Sequence, residues 1–159
     1  MTELTLITVG TLKEGYLREA VAEYEKRLSG LCRLQAVSLK EEKIPDEENP
    51  SAVSTALERE GARILSSVPE GAYTVAMCVE GKTMDSPSLA RHLSEGAGRS
   101  GKLCFIIGSS HGLSPTVKKK ADLRLSVSPL TFPHQLMRVM LAEILYRSFS
   151  IMAGKKYHK

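Results

Sequence analysis

Three strand-like segments of this chain are rich in apolar residues, the first two almost from end to end, and helical segments lie between them. They are Tyr73–Val79, Leu103–Ile107 and Leu123–Val127. A strand with one face in water alternates apolar and polar residues, so a strand without alternation has both faces covered. Strands that alternate with helices and are buried on both faces are typical of a parallel sheet between two helical layers. The pattern therefore predicts an α/β fold with a parallel sheet flanked by helices.

The first part of the chain continues the same alternation. Leu4–Val9 is predicted to be a buried strand, and Tyr16–Leu28 an amphipathic helix that ends at Gly30. Arg33–Leu39 alternates apolar and polar residues and is predicted to be a second strand. A second helix is expected over residues 51–67. All elements together give repeated strand–helix units.

Helix starts and loops are indicated by serine, proline and charge. Ser86 and Ser114 are each followed by proline, so each is predicted to cap a helix with the proline in the first turn. The last and longest helix is predicted from Pro133 to Met152, with Thr131 as its cap. The highly charged segment 40–50 is predicted to be a mobile loop.

The composition is that of an ordinary globular protein, and the sequence argues against a membrane protein, a secreted protein and a protein built on disulfides or metal sites. No apolar run approaches the roughly 20 residues of a membrane span, and the start of the chain lacks the pattern of a signal peptide. We therefore expect a cytoplasmic protein without membrane contact.

Cys32, Cys78 and Cys104 form no CxxC pair and lie in apolar runs, which predicts buried free thiols rather than disulfides or a metal site. No repeat or linker divides the chain, so we expect a single domain over residues 1–159.

The charge is unevenly distributed along the chain. Residues 1–61 contain 8 Lys or Arg and 12 Asp or Glu, a net charge of −4, whereas residues 62–159 contain 14 and 6, a net charge of +8. A basic half on a small protein favours a polyanionic partner, because each phosphate contact releases counterions. The run Lys118–Lys120 contributes to this excess, but such a run is equally consistent with the solvated face of a helix.

Three segments form the carboxyl ends of these strands and the loops after them, at the edge where parallel sheets bind their ligands. The segments are Met77–Gly81, Gly108–Gly112 and Val127–Phe132. In the second loop, two glycines allow a sharp turn and a close approach of a ligand to the backbone. This loop lacks the third glycine of a dinucleotide fingerprint and the lysine of a P-loop. The third loop is stiffened by Pro129 and Pro133 and is suited to present main-chain amides and carbonyls to a purine ring.

The last predicted helix carries apolar residues on nearly every side. An outer helix of a small domain normally keeps one polar face, so this helix either lies in the core or covers a partner subunit. A basic, partly aromatic tail, Lys155–Lys159, follows it. The apolar residues of the helix are Leu136, Met137, Val139, Met140, Leu141, Ile144, Leu145, Tyr146, Phe149, Ile151 and Met152.

Several of these segments together resemble a known family. Thr131–Val139 (TFPHQLMRV), Ile106–Leu113 (IIGSSHGL) and the ending Lys156–Lys159 (KYHK) are similar to the ribosomal large-subunit pseudouridine N3-methyltransferase H family, which belongs to the SPOUT class of knotted methyltransferases. The likeness covers essentially the whole chain, because the opening strand with Val9 and Gly10, the segment AEYEKRL (22–28) and the pair at 60–61 also match.

The resemblance implies a parallel sheet whose last strand and helix thread through a deep trefoil knot, and a homodimer built on the last helix. It also implies that S-adenosylmethionine binds in the knot. Family members often carry a second glycine in the glycine loop, where this chain has Ser109. The residues that would contact the cofactor here are Met77 in the third strand, Gly108 in the glycine loop, and Val127, Ser128, Pro129, Leu130, Thr131 and Phe132 after the last strand.

The reaction implied by the resemblance is transfer of the sulfonium methyl group to N3 of a pseudouridine in helix 69 of 23S ribosomal RNA, in the assembled ribosome. N3 loses a proton, and histidine is the usual group for proton transfer near neutral pH. His134 and His158 are therefore candidate bases, although His134 is equally explained as a helix-start residue. We expect Tyr157, His158 and Lys159 to complete the substrate pocket across the dimer, and Arg138 to hold an RNA phosphate. The resemblance implies no metal.

Two other functions remain open at the level of sequence. A non-catalytic α/β module that docks on ribosomes predicts no binding of S-adenosylmethionine. An enzyme that uses Gly108–Gly112 to bind phosphates predicts affinity for a dinucleotide or a nucleoside triphosphate. The chain lacks the third glycine of a dinucleotide fingerprint and the lysine of a P-loop, which counts against this second hypothesis.

Overall fold

The computed structural model describes residues 1–159 and contains five strands and five helices. The strands are β1 (Glu3–Val9), β2 (Arg33–Leu39), β3 (Tyr73–Lys82), β4 (Lys102–Ile107) and β5 (Leu123–Leu125). The helices are α1 (Gly15–Leu28), α2 (Pro50–Ser67), α3 (Ser86–Ser100), α4 (Pro115–Lys120) and α5 (His134–Met152).

All five strands belong to one sheet with the order β2-β1-β4-β3-β5, and every pairing is parallel. The predicted parallel sheet is thereby confirmed. The central strand β4 pairs with β1 from Glu3 opposite Lys102 to Thr8 opposite Ile107. β2 lies at one edge and is only partly buried, which explains its alternating sequence. β5 lies at the other edge and is shorter than predicted.

Side chains that alternate along the strands build two cores, one on each face of the sheet. Along β4, Leu103, Phe105 and Ile107 point to one face, and Cys104 and Ile106 to the other. The first core is covered by α1, α3 and α5, and the second by α2 and α4. Burial of each large side chain contributes about 1.5–3 kcal/mol, so the two-sided apolar strands are the main source of stability.

The helix starts follow the predicted chemistry with two corrections. Ser114 caps α4 by accepting a hydrogen bond from the amide of Val117, as predicted. The cap of α3 is Asp85 rather than Ser86, because the Asp85 carboxylate accepts from the amide of Ser88. The predicted Thr131 cap of α5 is wrong, since Pro133 stands at that position and no side chain caps the helix. The amides of the first turn of α5 are therefore left free.

The charged segment 40–50 is anchored at its beginning, in contrast to the mobile loop expected from its composition. Arg63 of α2 donates hydrogen bonds to the main-chain oxygen of Lys40 at 2.7 Å and to the carboxylate of Glu42 at 2.6 Å. The amide of Glu42 donates to the carboxylate of Glu60 at 2.8 Å. These bonds hold residues 40–42 against α2.

The long helix α5 packs between α1 and α3 on one face of the sheet. Leu141, Leu145 and Phe149 insert into the first core. Most of its remaining apolar side chains are half-buried, and Leu136 in its first turn is exposed. None of the five helices is both long and apolar enough to cross a membrane.

Candidate functional site

The carboxyl ends of β3, β4 and β5 surround a cleft of about 370 Å³, called the main cleft below. Its walls are the end of β3, the loop 108–113 after β4 and the segment 125–132 after β5. This is the edge of the sheet that the three apolar strands indicated. The lining residues are Met77, Cys78, Val79, Glu80, Ile107, Gly108, Ser109, Ser110, His111, Gly112, Leu113, Lys118, Leu125, Ser126, Val127, Ser128, Leu130, Thr131, Phe132, His134 and Met137.

The residues expected to contact the cofactor come together in this cleft, with one exception. Met77, Gly108 and the segment from Val127 to Phe132 line it from three different strand ends. Pro129 lies outside the lining and is exposed. Cys78, Glu80 and His111 lie within the segments expected at this edge, but nothing in their local sequence indicates an individual role. Lys118, Leu125 and Met137 also line the cleft and lie outside those segments.

The segment after β5 presents main-chain groups that have no partner within the protein. Ser126 anchors the segment, since its amide donates to the main-chain oxygen of Lys82 and its hydroxyl to that of Ser128. The hydroxyl of Ser128 accepts from the amide of Leu130. The amides of Val127, Ser128, Thr131 and Phe132 make no hydrogen bond in the structure. Unpaired main-chain groups of this kind bind the polar edge of a planar ligand without first breaking a protein contact.

Two glycines allow the backbone to pack tightly around this site. A Cβ at Gly81 would lie only 2.7 Å from the carbonyl carbon of Leu125, so β3 and β5 can approach each other here only without a side chain. The pairing of these strands shifts register between Met77 and Lys82 at the same place. A Cβ at Gly108 would overlap the carbonyl oxygen of Gly112. The turn itself therefore requires glycine at position 108. The sequence had suggested a different reason, the close approach of a ligand to the backbone.

One ion pair lies at the rim of the main cleft. The ammonium group of Lys118 contacts the carboxylate of Glu80, and this hydrogen bond lowers the pKa of Glu80. The run Lys118–Lys120 is therefore not simply a solvated helix face, because Lys118 is paired with Glu80 at the cleft. Glu80 is the one carboxylate among the lining residues, and Lys118 balances its negative charge. No three His, Cys, Asp or Glu side chains are grouped so that they could hold a metal ion.

The cysteines divide between core and cleft. Cys32 and Cys104 are buried free thiols as predicted, and burial raises the pKa of Cys104 to about 12. Cys78 is half-buried and lines the main cleft instead. Burial and the nearby Glu80 carboxylate raise its pKa, so the thiol stays protonated and behaves as a small apolar wall.

A second cleft adjoins the main cleft at the carboxyl ends of β1 and β2, and is called the polar cleft below. It includes Lys13, Lys40 and Glu41, and Leu39 is its one apolar residue. The two clefts share Ser110 and His134. His134 is the first residue of α5, so the start of that helix forms the ridge between the clefts.

Arg138 lies under the polar cleft, and its position is inconsistent with the expected contact to an RNA phosphate. The residue is 7% exposed, and its Nη2 donates to the main-chain oxygens of Val9 at 2.9 Å and Gly10 at 2.7 Å. Burial lowers the pKa of Arg138, and the Glu41 carboxylate opposes this effect. The guanidinium thus closes the end of β1, where the strand leaves two carbonyl groups inside the protein.

We expect Arg138→Met to lower the free energy of unfolding by about 1.5–3 kcal/mol, because hydrogen bonds from a charged donor to buried carbonyls are lost. Urea denaturation measures the free energy of unfolding of the wild type and the variant. Arg124→Met makes the same chemical change at an exposed position of β5 and should stay within about 0.5 kcal/mol of the wild type. If the Arg138→Met protein is fully stable but no longer binds ribosomes, Arg138 contacts an RNA phosphate after all.

The C-terminal tail folds back against α5, and none of its last three residues lines the main cleft of its own chain. The Tyr157 hydroxyl donates to Glu143 at 3.1 Å, and the Tyr157 ring packs edge-on against Tyr146 at 4.7 Å between centroids. The Arg147 guanidinium lies 4.7 Å from the Tyr157 ring centroid, and its Nη1 is 3.3 Å from Nδ1 of His158. The tail therefore does not meet His134 within one chain.

Comparison with known proteins agrees with this architecture. The family model described as "Predicted SPOUT methyltransferase" matches residues 2–158. The fold is similar to a probable methyltransferase from Bordetella pertussis, with a TM-score of 0.57 and 14% identity over 93% of this chain and 96% of that one. It is also similar to a probable methylase family protein from Haemophilus influenzae, with a TM-score of 0.55 and 16% identity over 100% of this chain and 72% of that one. The chain belongs to the SPOUT methyltransferase family.

Three curated relatives with higher identity carry the name Ribosomal RNA large subunit methyltransferase H. The relative from Clostridium kluyveri is 46% identical over 98% of this chain and 99% of its own length. Those from Streptococcus thermophilus and Bifidobacterium adolescentis are 45% and 44% identical, each over 99% of both chains. The resemblance noted from the sequence motifs is thereby confirmed over the full length of the chain.

Proposed function

We propose that this protein uses S-adenosylmethionine to methylate N3 of a pseudouridine in helix 69 of 23S ribosomal RNA, acting in the cytoplasm on the assembled ribosome. One observation supports this most: the three stretches expected to hold the cofactor, although far apart in sequence, line one cleft at the carboxyl edge of a parallel sheet. The full-length likeness to relatives named ribosomal RNA large subunit methyltransferase H supports the RNA substrate.

The lining of the main cleft suits the chemistry of S-adenosylmethionine. The unpaired amides of the segment 127–132 suit the polar edge of adenine, and the apolar side chains of Met77, Leu125 and Met137 suit its faces. When bound, S-adenosylmethionine supplies an electrophilic methyl group, and the protein's part is to orient the acceptor and exclude water.

His134 is the residue of this chain best placed to handle the N3 proton. Its side chain lines both clefts, so it lies between the proposed cofactor site and the cleft through which RNA would approach. A positioned base contributes typically 100- to 10,000-fold to proton transfer. We propose that either His134 or His158 of the partner subunit accepts the proton, directly or through water, and that Lys13 and Lys40 of the polar cleft neutralise RNA phosphates.

We further propose that the segment after β5 and α5 form the family's trefoil knot, and that the tail acts in the cleft of a partner subunit. The tail is absent from its own main cleft, yet it carries an aromatic ring, an imidazole and a cation that suit a ribosomal nucleotide. Single-stranded or flipped bases are recognised by stacking and by contacts to their edges. A second copy of the chain would bring the tail to the cleft.

We expect the protein to be a homodimer at micromolar concentration, with the start of α5 in the interface. Leu130, Phe132 and Leu136 are exposed apolar side chains close together in sequence, and obligate interfaces bury surface of this kind. Sedimentation should give the mass of a dimer, and Leu136→Asp should shift it toward the monomer without unfolding it. Tyr16→Asp is the control, because Tyr16 is exposed on a different helix. A monomeric wild type would refute the interface.

The decisive test of the function uses ribosomes that lack the modification and labelled S-adenosylmethionine. We expect label at a single pseudouridine of helix 69, little label in free 23S RNA, and dependence on the main cleft. Calorimetry with S-adenosylmethionine alone tests the first step. Absence of binding would favour a non-catalytic ribosome-binding module, and preferential binding of a dinucleotide or a nucleoside triphosphate would favour a phosphate-binding enzyme.

A further inference from the structure

A buried carboxylate that plays no part in the proposed reaction lies behind both clefts. Glu60 belongs to α2 and is 3% exposed. Its Oε1 accepts a hydrogen bond from the hydroxyl of Ser109 at 3.2 Å, and its Oε2 accepts from the amide of Glu42 at 2.8 Å. Removing a carboxylate from water is costly unless its oxygens are paired, so the two bonds account for its presence in the interior.

The two partners of Glu60 belong to the walls of different clefts. Ser109 follows Gly108 in the loop that lines the main cleft, and it is itself buried. Glu42 follows Lys40 and Glu41, which line the polar cleft. One carboxylate therefore joins the loop of the proposed cofactor site to the segment beside the proposed RNA site.

The loop 108–112 has few other attachments that would hold it in place. Within it, the amide of Gly112 donates to the main-chain oxygen of Ser109, which closes the turn on itself. The hydroxyl of Ser110 lies 3.4 Å from Nδ1 of His111, another contact inside the loop. The Ser109 hydroxyl is the side-chain contact that attaches the loop to a helix.

We propose that Glu60 is a positioning residue that holds the Gly108–Gly112 loop, through Ser109, in the form that receives the methyl donor. This inference rests on the proposed function of the main cleft. A loop already held in its binding conformation loses less entropy when the ligand binds, so the attachment should raise affinity without any contact between Glu60 and the ligand.

The test measures the affinity for S-adenosylhomocysteine by calorimetry, in four variants whose folding is checked by urea denaturation. Ser109→Ala removes the donor, and Glu60→Leu removes the acceptor. The double variant tests whether the two changes act through one contact. Glu60→Gln is the conservative variant, since its amide oxygen can accept from Glu42 while its NH₂ group donates to the Ser109 hydroxyl.

We expect Ser109→Ala and Glu60→Leu each to weaken binding roughly 10-fold, the double variant to be no weaker than the poorer single variant, and Glu60→Gln to remain within about threefold of the wild type. Glu58→Gln is the matched control, because Glu58 lies on the same helix but is exposed and accepts from Thr116 of α4 instead. It should bind as the wild type does.

The outcomes separate this inference from the proposed function. If the wild type binds and a folded Ser109→Ala protein binds equally well, Glu60 has a structural role only and the inference is wrong. Strictly additive losses in the double variant would also overturn it. If the wild type itself fails to bind S-adenosylmethionine and S-adenosylhomocysteine, the proposed function fails first, and the inference fails with it.

Discussion

Deletion of Tyr157, His158 and Lys159 is expected to lower methyl transfer to unmodified ribosomes by roughly 100- to 10,000-fold, the range for loss of a positioned acid–base group. Loss of one stacked aromatic ring would add an effect on the order of 1–3 kcal/mol on substrate binding. The affinity for S-adenosylmethionine should change by less than about threefold, because none of the three residues lines the main cleft of its own chain.

The measurement pairs calorimetry with methyl incorporation, and the control is the double variant Lys155→Ala, Lys156→Ala, which keeps the last three residues. The fold should survive the deletion, since the packing of Tyr157 against Tyr146 is a surface contact worth about 0.5–1.5 kcal/mol. If the shortened protein methylates at nearly the wild-type rate, the tail is a solvated end and the base is His134 or water.

Mixed dimers test whether the tail acts across the subunit boundary. At an S-adenosylmethionine concentration well below the Kd of the Gly108→Ala protein, each variant alone has little activity. A shortened chain paired with a Gly108→Ala chain should then recover activity, because one complete site combines the cleft of the first with the tail of the second. With free exchange of subunits, about a quarter of the wild-type activity is expected from symmetry. If the mixed dimers recover no activity, the tail does not act in the cleft of a partner subunit.

Gly108→Ala is expected to weaken S-adenosylmethionine binding by roughly 100-fold, or about 2.7 kcal/mol. The added methyl group would overlap the carbonyl oxygen of Gly112, so the turn has to open and the main cleft loses one wall. Overpacking of this kind also lowers stability by about 1–3 kcal/mol. Calorimetry and urea denaturation of the same protein separate the two effects.

The matched control for this substitution is Gly98→Ala in α3. A Cβ at Gly98 meets no atom within 4 Å, and alanine is favoured over glycine in a helix by about 1 kcal/mol. Gly98→Ala should therefore be at least as stable as the wild type and bind equally well. A Gly108→Ala protein with wild-type affinity would show that the loop tolerates a side chain and that its geometry is not critical for the cofactor.

The sequence by itself determined the parallel sheet, the alternation of strands and helices, and the edge of the sheet where the site lies. The reason is local: a strand such as β4 that is apolar on both faces has to be covered on both faces, and ligands of such sheets bind beyond the strand ends. The glycine loop and the segment around Pro129 and Pro133 were recognisable for the same reason, since glycine and proline restrict backbone geometry where they stand.

Other features were decided only by the tertiary structure. Arg138 has the sequence context of a surface cation, and only the packing of α5 shows that its guanidinium closes the end of β1 instead. Glu60 looks like any acid of an amphipathic helix until the loop after β4 and the segment after β2 meet at its two oxygens. Side-chain roles that depend on contacts between distant segments leave no local pattern, because residue types and their spacing describe one element at a time and burial arises from several at once.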